Sequence, residues 1–206
     1  MDPGFFARST PEVARGLLGQ HVVHEEPEPT RLRIVETEAY LGPEDPGSHA
    51  TRGRDSQAGR LWEQPGRAYV YVCYGIHQML NVVAHPPEGI GAVLLRAGEP
   101  LDGIETMRRR REVDADGEIA SGPGRLAEAL GVRRSQHDGV DLTDGPLRFA
   151  EGPGVEAEDV AVTGRIGLSE GGEHLLRFVD RSSPHVSRPV PDQAPTESAD
   201  VEIRKR

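Results

Sequence analysis

The chain predicts a single α+β domain, and three observations predict it. Strand-like stretches outnumber stretches with helical periodicity. Two of the strands are joined through a tight Tyr74-Gly75 tip. At 206 residues, the chain suits one domain with a full core. We place that domain at residues 1–188 and read 189–206 as a poorly ordered tail, because Pro, Ser and acidic residues dominate from Ser182 onward.

In chain order, Ser9-Thr-Pro-Glu12 has the spacing of a capping box, with Pro11 in the first turn of a helix. Val13, Leu17 and Leu18 supply the apolar stripe, and Gly19 ends it. Glu25 to Thr30 is turn-rich. Leu32 to Tyr40 reads as a strand whose alternation places Leu32, Ile34, Glu36, Glu38 and Tyr40 on one face. Gly42-Pro43 and Asp45-Pro46-Gly47 then form a rigid turn that returns His49 to the strand end. Thr51 to Arg60 is expected to be a loop too polar and glycine-rich to pack. Ala68 to His77 and Gln78 to Ala84 form the hairpin, and Gly91 to Ala97 is a further strand carrying Arg96 in an apolar run. Leu101 to Arg111 and Gly124 to Leu130 are expected helices. Asp141 to Glu151, Val160 to Leu168 and Leu175 to Val179 are expected strands.

Ionised carboxylates are costly on a buried face unless paired or in use, so Glu36 and Glu38 mark a candidate site. Tyr74 beside glycine on a hairpin tip is an exposed wedge of the kind that enters a DNA stack. Tyr40, His49 and Tyr71 could wall a base pocket, and Asn81 could read a base edge. The residues alone leave the plainer alternative open, tyrosines packed in the core or capping a loop.

The composition excludes several classes. The best apolar run, Ala68 to Ile76, is far too short to span a membrane, and the N-terminus does not resemble a signal peptide. A cytoplasmic, nucleoid-associated protein is expected. The single cysteine, Cys73, excludes an internal disulfide framework and reads as a buried, inert thiol. The eight histidines lack metal-site spacing, so neither a metal nor another cofactor is expected. Acids outnumber bases 34 to 24, for a net charge of -10, and the only lysine is Lys205. That pattern suits a salt-rich cytoplasm; a GC-rich genome, which also favours arginine, would give the same composition. Arg52, Arg54, Arg60, Arg67 and Arg125 sit where phosphate contacts would be wanted, while Arg108 to Arg111 read better as a solvated helix face.

Arg33-Ile-Val-Glu-Thr-Glu-Ala-Tyr-Leu-Gly-Pro-Glu-Asp45, followed by His49, resembles the alkyladenine (3-methyladenine) DNA glycosylase family. So do Tyr69-Val-Tyr-Val-Cys-Tyr-Gly75 with Asn81, Val93-Leu-Leu-Arg-Ala97, Glu99-Pro-Leu-Asp-Gly103, Ser121-Gly-Pro123 and Leu176-Arg-Phe-Val179. The resemblance runs in order to about Ser187. It implies a curved, mostly antiparallel mixed sheet with flanking helices, acting as a monomer on double-stranded DNA that contains damaged purines. It implies Glu38 as the general base that activates water, Arg96 as its orienting partner, and Tyr40, His49 and Tyr71 as the base sandwich. Asn81 would screen the base edge and Tyr74 would fill the vacated duplex. Glu36 is the rival base. His77 departs from the resemblance, since an aromatic is expected there. With its only lysine in the tail, the chain reads as a monofunctional enzyme that leaves an abasic site. Two other readings stay open: a non-catalytic lesion-binding protein of the same fold, and a hydrolase of free modified nucleosides.

Overall fold

The computed structural model describes residues 1–196. Its elements in order are α1 (Thr10–Gly16), β1 (His21–His24), β2 (Thr30–Tyr40), β3 (Ala68–Cys73), β4 (His77–Val83), β5 (Ala92–Asp102), α2 (Ile104–Arg111), α3 (Asp116–Ile119), α4 (Pro123–Ala129), α5 (Arg134–His137), β6 (Leu147–Ala150), β7 (Val160–Thr163) and β8 (Arg177–Asp180). The strands form one open eight-stranded sheet in the order β3-β4-β5-β2-β1-β6, with β8 joining β2 to β7. Every pairing between the named strands is antiparallel. The α+β expectation therefore holds.

β2 is the hub. One edge pairs with β5 along almost its whole length, while the other pairs first with β1 and then with β8. The alternation expected along β2 is broken by paired register shifts against β5, between Ile34 and Glu36 and between Glu36 and Thr37, which leave Val35 and Arg96 unpaired in the ladder. Such bulges bend a strand and re-aim its side chains. Leu32 and Ile34 join the main core, but beyond the bulge Ala39 takes that position and Thr37 donates from Oγ1 to the Ala14 carbonyl at 2.7 Å. Glu36, Glu38 and Tyr40 thus face away from Leu32 and Ile34, a correction to the single-face expectation. The reason is physical: the core side of β2 carries Val13 and Ala14 of α1 and Leu17 just after it, an apolar layer with no partner for a carboxylate.

The Ser9–Glu12 capping box starts α1 as expected. Elsewhere boundaries move. β5 continues through Leu101 and Asp102, so α2 begins only at Ile104, after Gly103 at φ 72°. Of the expected strand from Asp141, only Leu147–Ala150 joins a named strand, while Asp141 makes a lone bridge with Arg67 and then turns the chain by accepting from the Thr143 N–H at 2.9 Å. β7 stops at Thr163, short of Leu168. The segment expected to be unpacked, Thr51 to Arg60, takes part in 3-10 turns at His49–Arg52 and Gln57–Trp62 and buries Ala58, with Ala50 and Leu61 buried at its flanks. Cys73 is half-buried. The part of the expected loose tail that is described is held by backbone contacts: Val162 N–H donates to the Pro195 carbonyl at 2.8 Å, and Arg181 reaches the Ala194 carbonyl at 2.9 Å. Residues 197–206 of that tail lie outside the described residues.

Candidate active site

Two buried ionic groups organise the face of β2 opposite α1. Glu36 and Glu38 are both fully buried. The Arg96 guanidinium bridges them, donating from Nε to Glu36 Oε1 at 3.0 Å and from Nη1 to Glu38 Oε2 at 3.1 Å. Glu36 also accepts from Arg177 Nε at 2.7 Å, from Ser187 Oγ at 2.7 Å and from the Ser187 N–H at 2.6 Å. Burial pushes the Glu36 carboxyl upward, but the Arg177 and Arg96 charges and the Ser187 bond overcome it and hold the group below the usual range. Arg96 keeps its proton because the two carboxylates outweigh its own burial.

Glu38 accepts at Oε2 from the Tyr40 hydroxyl at 2.7 Å and at Oε1 from the Ile166 N–H at 2.8 Å, besides the Arg96 bond. An ionised carboxylate offers about four acceptor positions. Three of the four donors to Glu36 converge on Oε1 and one reaches Oε2, while Glu38 takes two donors at Oε2 and one at Oε1, so each carboxylate keeps an acceptor position on its less-used oxygen. The two candidate bases differ in their neighbours: Glu38 bonds Tyr40, which lines the aromatic pocket, whereas Glu36 is held by Arg177 and Ser187.

The second ionic group is Asp45 with Arg165, whose side chains have no exposure. Arg165 contacts both Asp45 oxygens at 2.6 Å, donates to the carbonyls of Ala39 and Gly171, and lies 4.7 Å behind the Tyr40 ring centroid. A Cβ at Gly47 would come within 2.6 Å of this guanidinium, which is why the turn after β2 needs glycine there. Asp45 also accepts from the N–H groups of Leu41 and Gly47. One ion pair therefore holds the end of β2, the turn leading to His49, and the loop that carries Ile166 and Leu168.

Tyr40, His49, Tyr71 and Asn81 meet around one cavity, together with Gly47, Leu61, Tyr69, Ala92 and Leu168. The His49 and Tyr71 rings stand edge-to-face with centroids 4.6 Å apart. Asn81 is braced by the carbonyls of Tyr69 and Met79, at 3.0 and 3.2 Å. Sequence reasoning missed Tyr69, although it shares the strand face of Tyr71; its hydroxyl lies 2.8 Å from His49 Nδ1. Burial, helped by Arg52, lowers His49 to about 4, so its ring is neutral at pH 7. Burial raises Tyr69 to about 12, and burial with the Glu38 carboxylate raises Tyr40 well above its usual value.

The base pocket expected between Tyr40, His49 and Tyr71 is narrow here. The cavity measures about 50 Å³, room for roughly one or two waters, whereas ligand pockets run to about 300–1,000 Å³. The Tyr40 hydroxyl stands between this cavity and the acid. A larger open concavity of about 1050 Å³ lies beside the hairpin tip, lined in part by Ile76, His77, Arg133 and His137. Its Glu28 and Glu128 are paired with Arg109 and Arg111.

Tyr74 is 89% exposed at the tip and Ile76 is 71% exposed. Tyr74 and Gly75 have φ values of 51° and 75° and the Ile76 N–H bonds the Cys73 carbonyl, the geometry of a type I′ turn. A tyrosine at positive φ is uncommon enough to suggest use. Arg52, Arg54 and Arg125 are exposed and form no ion pair among the described residues. Arg60 instead binds Asp138 at 3.0 Å and Glu63 at 2.7 Å, so a phosphate there would compete with two carboxylates. Arg108 to Arg111 are committed to acids and carbonyls of neighbouring segments.

A buried acid–arginine pair beside an aromatic pocket, with an exposed apolar tip on the adjacent hairpin, suits an enzyme that acts on nucleic acid. The family comparison points to the same class. The methylpurine-DNA glycosylase family model matches residues 4–184. A protein of Salinibacter ruber provisionally named 3-methyladenine DNA glycosylase is 46% identical over 199 residues, covering 91% of this chain and 96% of the relative. Similarly named proteins of Streptomyces avermitilis and Chlorobium phaeovibrioides are 45% and 41% identical, covering 89% and 93% of this chain and 88% and 98% of the relatives. The chain belongs to the methylpurine-DNA glycosylase family, whose members hydrolyse N-glycosyl bonds in DNA.

Proposed function

We propose that this protein is a monofunctional glycosylase that excises alkylated purines of the 3-methyladenine type, and deaminated purines, from double-stranded DNA by flipping the nucleotide out of the helix. The observation that carries this reading is the meeting of Glu38, Arg96 and Tyr40 in one hydrogen-bonded group at the edge of the Tyr40–His49–Tyr71–Asn81 pocket.

In this mechanism Tyr74 enters the stack as the base leaves it, and the base lodges between Tyr40, His49 and Tyr71 while Asn81 screens its edge. Extruding a nucleotide opposes binding by a few kcal/mol, and stacking on aromatic rings returns about 1–3 kcal/mol per base. Glu38, through its free acceptor position, takes the proton of a water that attacks C1′, and its charge stabilises the oxocarbenium character that develops there. The N-glycosidic bond breaks with its electron pair going to the base. An alkylated purine already carries positive charge, so it departs with little acid assistance, and the neutral His49 ring does not repel it. Because the pocket is as narrow as described, the mechanism requires the side chains that line it to give way as the base enters.

We take the working unit to be a single chain acting in the cytoplasm at the nucleoid. Base-release assays on duplexes bearing 3-methyladenine, 7-methylguanine, hypoxanthine or etheno lesions test the reading. Glu38→Gln is expected to lower release about 10²–10⁴-fold, the usual contribution of a positioned base, while lesion binding stays largely intact. Full activity in that variant would overturn the assignment. Borohydride trapping on lesion duplex is expected to give no covalent adduct; an adduct would show lyase chemistry.

A further inference from the structure

Glu36 lies outside the mechanism above, yet it is as deeply buried as Glu38 and better supplied with donors. The groups facing Glu38 explain why the site needs it. From β2 come Glu36 and Tyr40, from β5 Arg96, from β8 Arg177, from β3 Tyr71, and from the loop after β7 Arg165, whose charge Asp45 cancels. Apart from that cancelled pair, two carboxylates face two guanidiniums. Arg177 sits directly opposite Glu38 in the β2–β8 register, but its Nε bonds Glu36. The Arg96 Nε likewise goes to Glu36, leaving Nη1 for Glu38.

We propose that Glu36 is a positioning residue that keeps Glu38 a usable base, by absorbing the charge of Arg177 and drawing Arg96 part of the way off the catalytic carboxylate. This inference rests on the reading of Glu38 as the base. If Glu36 were neutral, two buried guanidiniums would act on one carboxylate. An opposite charge within about 4–6 Å lowers a carboxyl pKa by about 1–3 units, and a weaker base takes a proton from water less readily.

The test is the pH dependence of single-turnover base release from a 7-methylguanine duplex by the full chain. Glu36→Gln is expected to move the acid limb of the profile down by about one pH unit and to slow release on the plateau. Arg177→Gln, which leaves an excess negative charge, is expected to move the limb up. The Glu36→Gln/Arg177→Gln double variant, balanced again, should return the limb toward its original position. A merely structural Glu36 would lower the unfolding midpoint in both single variants without opposite shifts of the limb, and that result would overturn the proposal. The opposite sign expected for Arg177→Gln decides the matter even if Glu36→Gln fails to fold. Release that survives in Glu38→Gln would overturn the base assignment and this inference with it. Lost release in Glu38→Gln beside an unmoved limb in both single variants would overturn the role of Glu36 alone.

Discussion

Under β2 the buried charges are matched. Glu36, Glu38 and Asp45 are held by Arg96, Arg177 and Arg165, with Ser187, Tyr40 and backbone N–H groups filling the remaining positions. At the tip of the β3–β4 hairpin the situation is reversed: Val72, Tyr74 and Ile76 are the exposed large apolar side chains among the described residues. The interior is over-determined, because an unpaired charge there would be expensive. The tip is under-determined, and its apolar surface gains contacts only when a partner supplies them. In the proposed mechanism a rigid acid meets a base delivered by a part of the protein that packs on little of its own.

The largest separation between the two regions is expected in stability. Asp45→Ala leaves the Arg165 charge buried and unpaired and should lower the unfolding free energy by about 3–5 kcal/mol, read by urea unfolding. Tyr74→Ala should change it by less than about 0.5 kcal/mol. Similar losses at the two positions would break the comparison. In binding the order inverts. Tyr74→Ala should weaken affinity for a lesion duplex by about 1–3 kcal/mol, the value of one stacked ring, measured by fluorescence anisotropy.

His49 gives a smaller, pH-dependent effect. Its pKa in the folded chain, about 4, lies below its ordinary 6.5, so between those values the unfolded chain binds the extra proton and stability falls with falling pH. The contribution is complete above pH 6.5 and lost as pH drops toward 4. Because His49 is partly exposed, solvent screening makes the loss smaller than for a sealed histidine. His49→Phe should flatten the dependence of the unfolding midpoint between pH 7 and 5; an unchanged slope would count against a buried neutral ring. The smallest effect is expected at the arginines. Arg52→Gln and Arg54→Gln should each reduce the slope of log affinity against log salt by about 0.9 if each meets one phosphate. Arg60→Gln, which breaks the pairs with Asp138 and Glu63, should leave that slope in place.

Much of the site was legible in the residues. The Ser9–Glu12 spacing announced α1, and Tyr74-Gly75 between two apolar runs announced a hairpin tip. Tyr40, His49, Tyr71 and Asn81 were each named, and they do line one cavity. These signals are local, since a cap, a turn and a strand period each act over a few residues. Tyr69 was legible in principle from its spacing to Tyr71. Nothing in the local pattern marked Arg177, Ser187 or Arg165, because their partners are 141, 151 and 120 positions away in the chain.

The order of residues determined most of the strands, though not β1 or the Leu101–Asp102 end of β5; it also determined where α1 would begin and several of the side chains that line the pocket. Tertiary structure decided which way they point. Simple alternation would have sent Glu36 and Glu38 into the layer beneath α1; the paired bulges in β2 and β5 turn them instead toward Arg96 and Arg177. The physical reason is that a fully buried carboxylate needs charged donors within hydrogen-bond reach. Those donors come from distant strands, so only the assembled sheet can say on which face the acid is affordable.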